Sequence, residues 1–248
     1  MQINYPLPQP HGEIRRLLPD FFCVPGTAKL APATAINRNM GVLRWGDELT
    51  LVNPVRLRPV QEERLEELGR IRHAVRLGYH HGCDDLYYRD RYNLTFWRQA
   101  NSDLYPAPAP DRLLRDGGDC PIPGGCFVEF GHSRYPEAAL WVPYNGGLLL
   151  TCDAIQYWQS WCGCSWCGRH LLRFGGIRRG MQVAPNWRAR ATPDGRDPAH
   201  WLQEDFQRLL ALPFIHFMGA HGGFCADNAY EEVAAAVRRA FPEIDRAA

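Results

Sequence analysis

Apolar and polar positions in this chain switch in short bursts, and the bursts read as strands and helices in alternation. Residues 20–25 form one short strand pattern, Asp-Phe-Phe-Cys-Val-Pro. Residues 40–45 and 48–53 are apolar runs on either side of Gly46-Asp47, a hairpin signature. Residues 59–68 carry charges at helical spacing and stop at Gly69, a helix C-cap signal. A strand over 72–77 follows, then Gly78 and a loop over 79–85. Residues 86–92 predict a short helix with Tyr87, Tyr88 and Tyr92, and Phe96-Trp97 opens another strand. Further on, three apolar runs each end on a potential metal ligand: His132, Asp153 and His221. Ligands at strand ends stand on rigid elements and can converge at one sheet edge.

The intervening segments are less regular. Residues 1–37 are rich in Pro and Gly and are expected to wrap the surface, with 1–19 as an N-terminal arm. Residues 101–126 read as a long Pro/Gly/Asp loop, a length that in compact domains usually marks function or mobility. Residues 154–173 predict a helix at first, interrupted by a Cys/Trp/Gly cluster, and 182–197 read as loop. Residues 198–212 place Trp201, Leu202, Phe206, Leu209 and Leu210 at helical spacing. Residues 228–241 predict a closing amphipathic helix with Val233, Ala236, Val237 and Phe241 on one face. The order of strands and helices predicts one α/β domain over residues 1–248.

Composition narrows the function classes. The 248 residues are 46% apolar, ample for a core. A net charge of +1 gives no global reason to expect nucleic acid or an anionic membrane as partner. Lys29 is the only lysine, so the basic residues are nearly all arginine. The start lacks a secretory pattern and no apolar run approaches the ~20 residues of a spanning helix, so a cytoplasmic protein is expected. In that reducing compartment nine cysteines read as thiols or metal ligands.

Gly131-His132, Thr151-Cys152-Asp153 and Ala220-His221-Gly222, in this order and each after an apolar strand, resemble the later metal motifs of metallo-β-lactamase-fold proteins. The resemblance implies an α/β, four-layer αββα sandwich with metal ligands on loops at one edge. It also implies a metal-dependent hydrolase acting on a small, anionic-type molecule through metal-bound hydroxide. The family's first motif is His-x-His-x-Asp-His, and here the chain departs from it. Setting Asp84 on the family's Asp puts His80 on the first His, Gly82 on the second and Asp85 on the last. Setting His81 on the first His instead puts Cys83 on the second and Asp85 on the Asp. Both alignments stay open; His81 is read as the inward histidine and His80 as the exposed one. The implied metal set is His80 or His81, Asp84, Asp85, His132, Asp153 and His221, with Asp84 or Asp85 orienting water or accepting a proton.

Loss of imidazole in favour of carboxylate broadens the metal choice. Zinc is expected first, with iron or manganese as alternatives. A non-haem iron oxidoreductase and a non-catalytic binding relative are the competing functions. Cys162, Cys164, Cys167 and His170 form a second cluster. It reads as a structural metal site, a redox pair or plain buried thiols, and Cys120 and Cys126 are possible contributors. Tyr87, Tyr88, Tyr92, Trp97, Trp158, Trp161 and Trp166 are candidates to line a pocket, although core packing explains most such aromatics. Arg89, Arg91, Arg134 and Arg188 are candidates to hold an anionic substrate, although a solvated face explains most such arginines. His73 and His216 read as packing residues.

Overall fold

The computed structural model describes residues 5–100 and 107–242. Seven strands lie side by side in chain order: β1 (Arg15–Leu18), β2 (Phe21–Ala31), β3 (Thr34–Trp45), β4 (Glu48–Val52), β5 (Arg70–Val75), β6 (Thr95–Arg98) and β7 (Arg112–Leu113). The first four pair antiparallel, and β4 to β7 pair parallel. Parallel neighbours need crossovers. Helix α1 (Pro59–Leu68) makes the one from β4 to β5, and α2 (Asp85–Tyr92) the one from β5 to β6.

A second sheet has the order β14 (Phe224–Cys225), β13 (His216–Met218), β10 (Leu148–Leu150), β9 (Ala138–Val142), β8 (Cys126–Glu129), with β10 and β13 parallel. A two-stranded ribbon, β11 (Ile155–Trp158) with β12 (Gly180–Val183), stands apart from it. Five helices complete the chain: α3 (Trp166–Phe174), α4 (Pro185–Ala191), α5 (Pro198–Trp201), α6 (Gln203–Leu210) and α7 (Ala229–Ala240). Among the described residues no helix is long and apolar enough to cross a membrane.

The period-two alternation of the strands sorts their side chains into three cores. Phe21, Leu43, Val52, Val75, Leu140, Leu148 and Leu150 fill the space between the two sheets. Their neighbours Phe22, Val42, Leu51 and Ala74 face the other way and meet Leu65 of α1 and Tyr88 of α2. On the far side of the second sheet Ala139, Leu149 and Phe217 meet Trp187, Phe206, Val233 and Val237 from α4, α6 and α7. Three cores between four layers make an α/β sandwich of the αββα type, as expected from the sequence.

Several local expectations fail for identifiable reasons. Residues 26–37, expected to wrap the surface, extend the strands read at 20–25 and 40–45 into one long hairpin, paired almost without interruption from Phe21↔Leu43 to Ala31↔Thr34. Gly26 lies inside β2 because a Cβ there would press on Val55 and the Arg38 carbonyl. The helix expected from 154 is a strand at first, β11. The helix begins only at Trp166, where the Ser165 hydroxyl accepts the Gly168 amide at 3.1 Å and caps it. The stretch 182–197, expected as loop, holds part of β12 and then α4, with Pro185 at its first turn. Of the long loop 101–126, residues 101–106 lie outside the described part, and Arg112–Leu113 adds a short parallel edge strand.

Candidate metal centre

Three parallel-paired strands deliver the site. Beyond β5 the chain makes a single turn, Tyr79–His81, that ends on His81. Asp153 follows β10, and His221 follows β13. β10 and β13 pair parallel and release their next residues at the same edge, and the turn after β5 brings His81 to them from the other sheet. His81 Nε2 lies 3.2 Å from His221 Nε2 and 3.3 Å from Asp153 Oδ1, and His221 Nε2 lies 3.0 Å from the same oxygen. All three residues are buried.

The hydrogen-bond inventory leaves this junction short of protons. His221 Nδ1 lies 2.5 Å from the Asn37 carbonyl, an acceptor, so that nitrogen carries the proton and a neutral ring turns the Nε2 lone pair toward Asp153. Burial pushes His81 down to about 4, against the pull of Asp153, so its ring is neutral. His81 Nδ1 is buried without a partner, so neither tautomer satisfies both ring nitrogens. Burial opposes ionisation of Asp153, and its carboxyl is held well below the usual range only by protons or positive charge on the neighbouring imidazoles, a role that a cation would take over. Two imidazole lone pairs and one carboxylate oxygen aimed at one point fit a divalent cation. Three protein ligands with the remaining positions open is the pattern of catalytic rather than structural sites.

Neighbouring side chains fix the segments that present Asp153 and His221. The carboxylate of Glu137, just ahead of β9, accepts the backbone N–H of Asp153 at 2.7 Å and of Ala154 at 2.8 Å. Gln156 donates to the Asp153 carbonyl at 3.2 Å and accepts from Trp158 Nε1 at 2.8 Å. The Trp158 ring lies nearly parallel to His221, at 9° and 6.4 Å between centroids. Asn39 donates to the carbonyls of Gly219 and Gly222, and Asn37 Oδ1 accepts the Gly222 amide at 2.6 Å. Glu137, Asn37 and Asn39 were missed from the sequence. The available signal was two amides at alternate positions, Asn37 and Asn39, flanking Arg38 inside a strand.

No protein-family model matches the chain, and no curated protein matches it. Solved structures do. VMB-1, in a crystal structure at pH 5.5, superposes with a TM-score of 0.64 at 11% identity, covering 95% of this chain and 98% of that one. The metallo-β-lactamase FIM-1 from Pseudomonas aeruginosa, in its mono-zinc form, gives 0.63 at 15% identity over 95% and 98%. A metallo-β-lactamase from Erythrobacter litoralis, with β-mercaptoethanol in its active site, gives 0.60 at 12% over 91% and 96%. This chain has the metallo-β-lactamase fold.

Against the metallo-β-lactamase motifs, the residues fall into two groups. His81, Asp153 and His221 come together; the other expected ligands do not join them. Asp84 is buried against Arg38, 3.0 Å from Nη1, and accepts the Arg56 amide at 3.1 Å. Asp85 is fully buried and pairs with Arg76 Nη1 at 3.5 Å. Both carboxylates are therefore held by guanidinium groups, and the structure brings neither into the trio. Further guanidinium N–H groups of Arg38 and Arg76 donate to carbonyls of Pro54, His81, Gly78 and Tyr79, which shapes the loop. His80 is exposed and packs on Tyr79 and Tyr135, with ring centroids 4.8 and 6.2 Å away.

His132 is the largest departure. It turns away to α6, with Nδ1 3.2 Å from Asp205 Oδ1 and Nε2 3.5 Å from Glu204. Asp205 is fully buried and also accepts the amides of Gly131 and His132, which fixes the turn outward. The cysteine cluster does not form a ligand set either: no three ligand atoms of Cys162, Cys164, Cys167 and His170 lie within 4.8 Å of one another. Cys162 is exposed, Cys164 is buried with its sulfur accepting the Asn37 amide, and the His170 ring stacks on Trp166. Glu137, Cys152 and Asp153 do lie within that distance of one another. Burial raises both the Glu137 carboxyl and the Cys152 thiol strongly, and Glu137 Oε1 is already engaged by the amides of Asp153 and Ala154.

A cleft of about 570 Å³ opens beside His221, between the β2–β3 hairpin and the loops 159–163 and 222–224. Asn37, Asn39 and Gly222 line it, while the three ligands do not, so it adjoins the trio rather than containing it. Of the candidate aromatics Trp158 reaches the site, with Trp161 packed on it at 5.2 Å. Tyr88 belongs to the outer core. The candidate arginines are engaged elsewhere: Arg89 with Asp111, Arg91 with Glu62, Arg134 with Asp194, and Arg188 with the Ala240 carbonyl.

Proposed function

We propose that this protein is a metal-dependent hydrolase-like enzyme that holds one divalent cation on His81, Asp153 and His221 and acts on a small molecule. The observation that carries this is the proton-poor junction of two imidazole nitrogens and a carboxylate at the shared edge of two sheets. When bound, such a cation lowers the pKa of coordinated water from near 16 to about 7 and polarises a carbonyl or phosphoryl oxygen. The chain's own residues do the rest. Asn37 holds the tautomer of His221, and Glu137 fixes the backbone that presents Asp153. Trp158 closes the inner face of His221 against water. Tyr79, His80 and Tyr135 form a partly exposed aromatic wall next to His81. The volume of the adjoining cleft suits a small-molecule ligand.

Zinc is the metal we favour, in keeping with two imidazole nitrogens and one carboxylate oxygen as ligands. The same set of two histidines and one aspartate also suits non-haem iron, which supports an oxidoreductase as the second reading. Turnover of an ester, thioester, lactam and phosphoester panel is expected to disappear on chelation, return with zinc, and be absent in Asp153→Asn. Iron content with oxygen consumption and no hydrolysis would replace the first reading with the second.

A further inference from the structure

The net charge of the chain conceals a one-signed region. Between Asp153 and Asp194 there is no Asp or Glu, and there are six arginines. Four of them, Arg169, Arg173, Arg178 and Arg179, are exposed on α3 and the turn after it. Among the described residues none of the four makes an ion pair, whereas Arg38, Arg44, Arg64, Arg70, Arg72 and Arg76 all do.

The same helix carries the most exposed large apolar side chains of its part of the chain. Phe174 is 95% exposed, Trp166 71% and Leu171 50%. Trp166, His170 and Phe174 are spaced four apart and share one face of α3, while Gly168 and Leu172 face the core. Gly168 packs so closely on the Ala35 carbonyl that no larger residue fits, and Ser165 bonds to Ala33 and Ala35. These contacts lock α3 to the β2–β3 hairpin. Register then sets Lys29 opposite Ala35, and the exposed Leu30 follows at the hairpin tip. One corner of the molecule thus projects Leu30, Trp166, Leu171 and Phe174 among five unpaired cations.

We propose that this corner is a docking surface for an anionic lipid bilayer. Charge complementarity selects an anionic partner, since nothing acidic in this region balances the arginines. The protruding apolar groups select a lipid among anionic partners. A nucleic acid backbone gives an exposed leucine or phenylalanine nothing to bury in. An acyl–headgroup boundary accepts Trp, Phe and Leu while the arginines meet the headgroups. The surface uses none of the residues of the metal site and none that line the cleft beside His221. Its test is therefore independent of the hydrolase reading.

The test is co-sedimentation of the full chain with extruded phosphatidylcholine vesicles, with and without about 30 mol% phosphatidylserine. The native protein is expected to pellet with the anionic vesicles and stay in solution with the neutral ones. Arg178→Glu/Arg179→Glu should weaken the partition about tenfold or more, and the uncharged change Phe174→Ser should also weaken it. Both sites are exposed, so circular dichroism of the variants should match the native protein. No pelleting with anionic vesicles, or unchanged pelleting of Phe174→Ser, overturns the proposal. So does equal affinity for a duplex oligonucleotide without any binding to vesicles.

Discussion

The guanidinium of Arg76 fills the space that any side chain at residue 82 would need. A Cβ built on Gly82 would overlap both the Nη1 and Cζ atoms of Arg76. The guanidinium cannot simply swing away, because it is buried and bonded to the carbonyls of Gly78 and Tyr79 and to Asp85. Gly82→Ala should therefore destabilise by about 1–3 kcal/mol, read from urea or thermal unfolding. Gly82→His should not restore a family-like ligand. A variant that gains metal by that change would show the loop to be far more pliable than these contacts allow.

Asp85 makes stability depend on pH. Burial raises its carboxyl to about 6 from the ordinary 3.8, even with Arg76 pulling the other way. A raised carboxyl favours the fold while it is protonated. That contribution is complete below about pH 4 and is lost as pH rises through about 6, amounting to roughly 3 kcal/mol across the window. Asp85→Asn has no such proton to lose. Unfolding free energies of the two proteins should differ in slope between pH 4 and 6 by this order, and parallel curves would contradict the assignment.

Glu137 acts on the centre through the backbone of Asp153. Glu137→Ala leaves two buried N–H groups without an acceptor and should cost about 2–4 kcal/mol in stability. It should also weaken metal affinity about 10- to 100-fold, the usual scale for a lost outer-shell partner. Glu137→Gln keeps an acceptor oxygen and should retain most of both. Competition with a chromophoric chelator separates the two variants.

His132 is held against Asp205 and Glu204 of α6, away from the trio. His132→Ala should leave metal content unchanged. Asp205→Ala should cost about 2–4 kcal/mol, because two amides and a guanidinium lose a fully buried acceptor. Loss of metal in His132→Ala would put that histidine back among the ligands.

The layered fold was legible because strand alternation is a local signal. Phe21 and Phe22 already announce two faces, and the structure gives each a separate core. Asp153 and His221 were legible because each ends an apolar run on parallel strands. His132 carried the same local signature and failed, because the direction of a side chain after a strand depends on distant groups. Here that group is Asp205, 73 residues away in the chain. The surroundings of residues 80–85 depended on Arg38 in β3 and Arg76 just past β5, which pair with Asp84 and Asp85. The long hairpin over 21–45 was hidden by Pro25 and Gly26, which usually punctuate strands but here sit inside one. Buried arginines in a strand have no sequence pattern of their own, so the lost carboxylates were not foreseeable from spacing.

Elemental analysis of protein purified without chelators, beside a His81→Ala/His221→Ala variant with the same circular dichroism, tests the metal centre most directly. One equivalent of zinc, or of iron for the oxidoreductase, should be present in the native chain and absent from the variant. Metal that persists in the variant, or a native protein that takes up none from excess zinc or iron, would contradict a cation held by His81, Asp153 and His221.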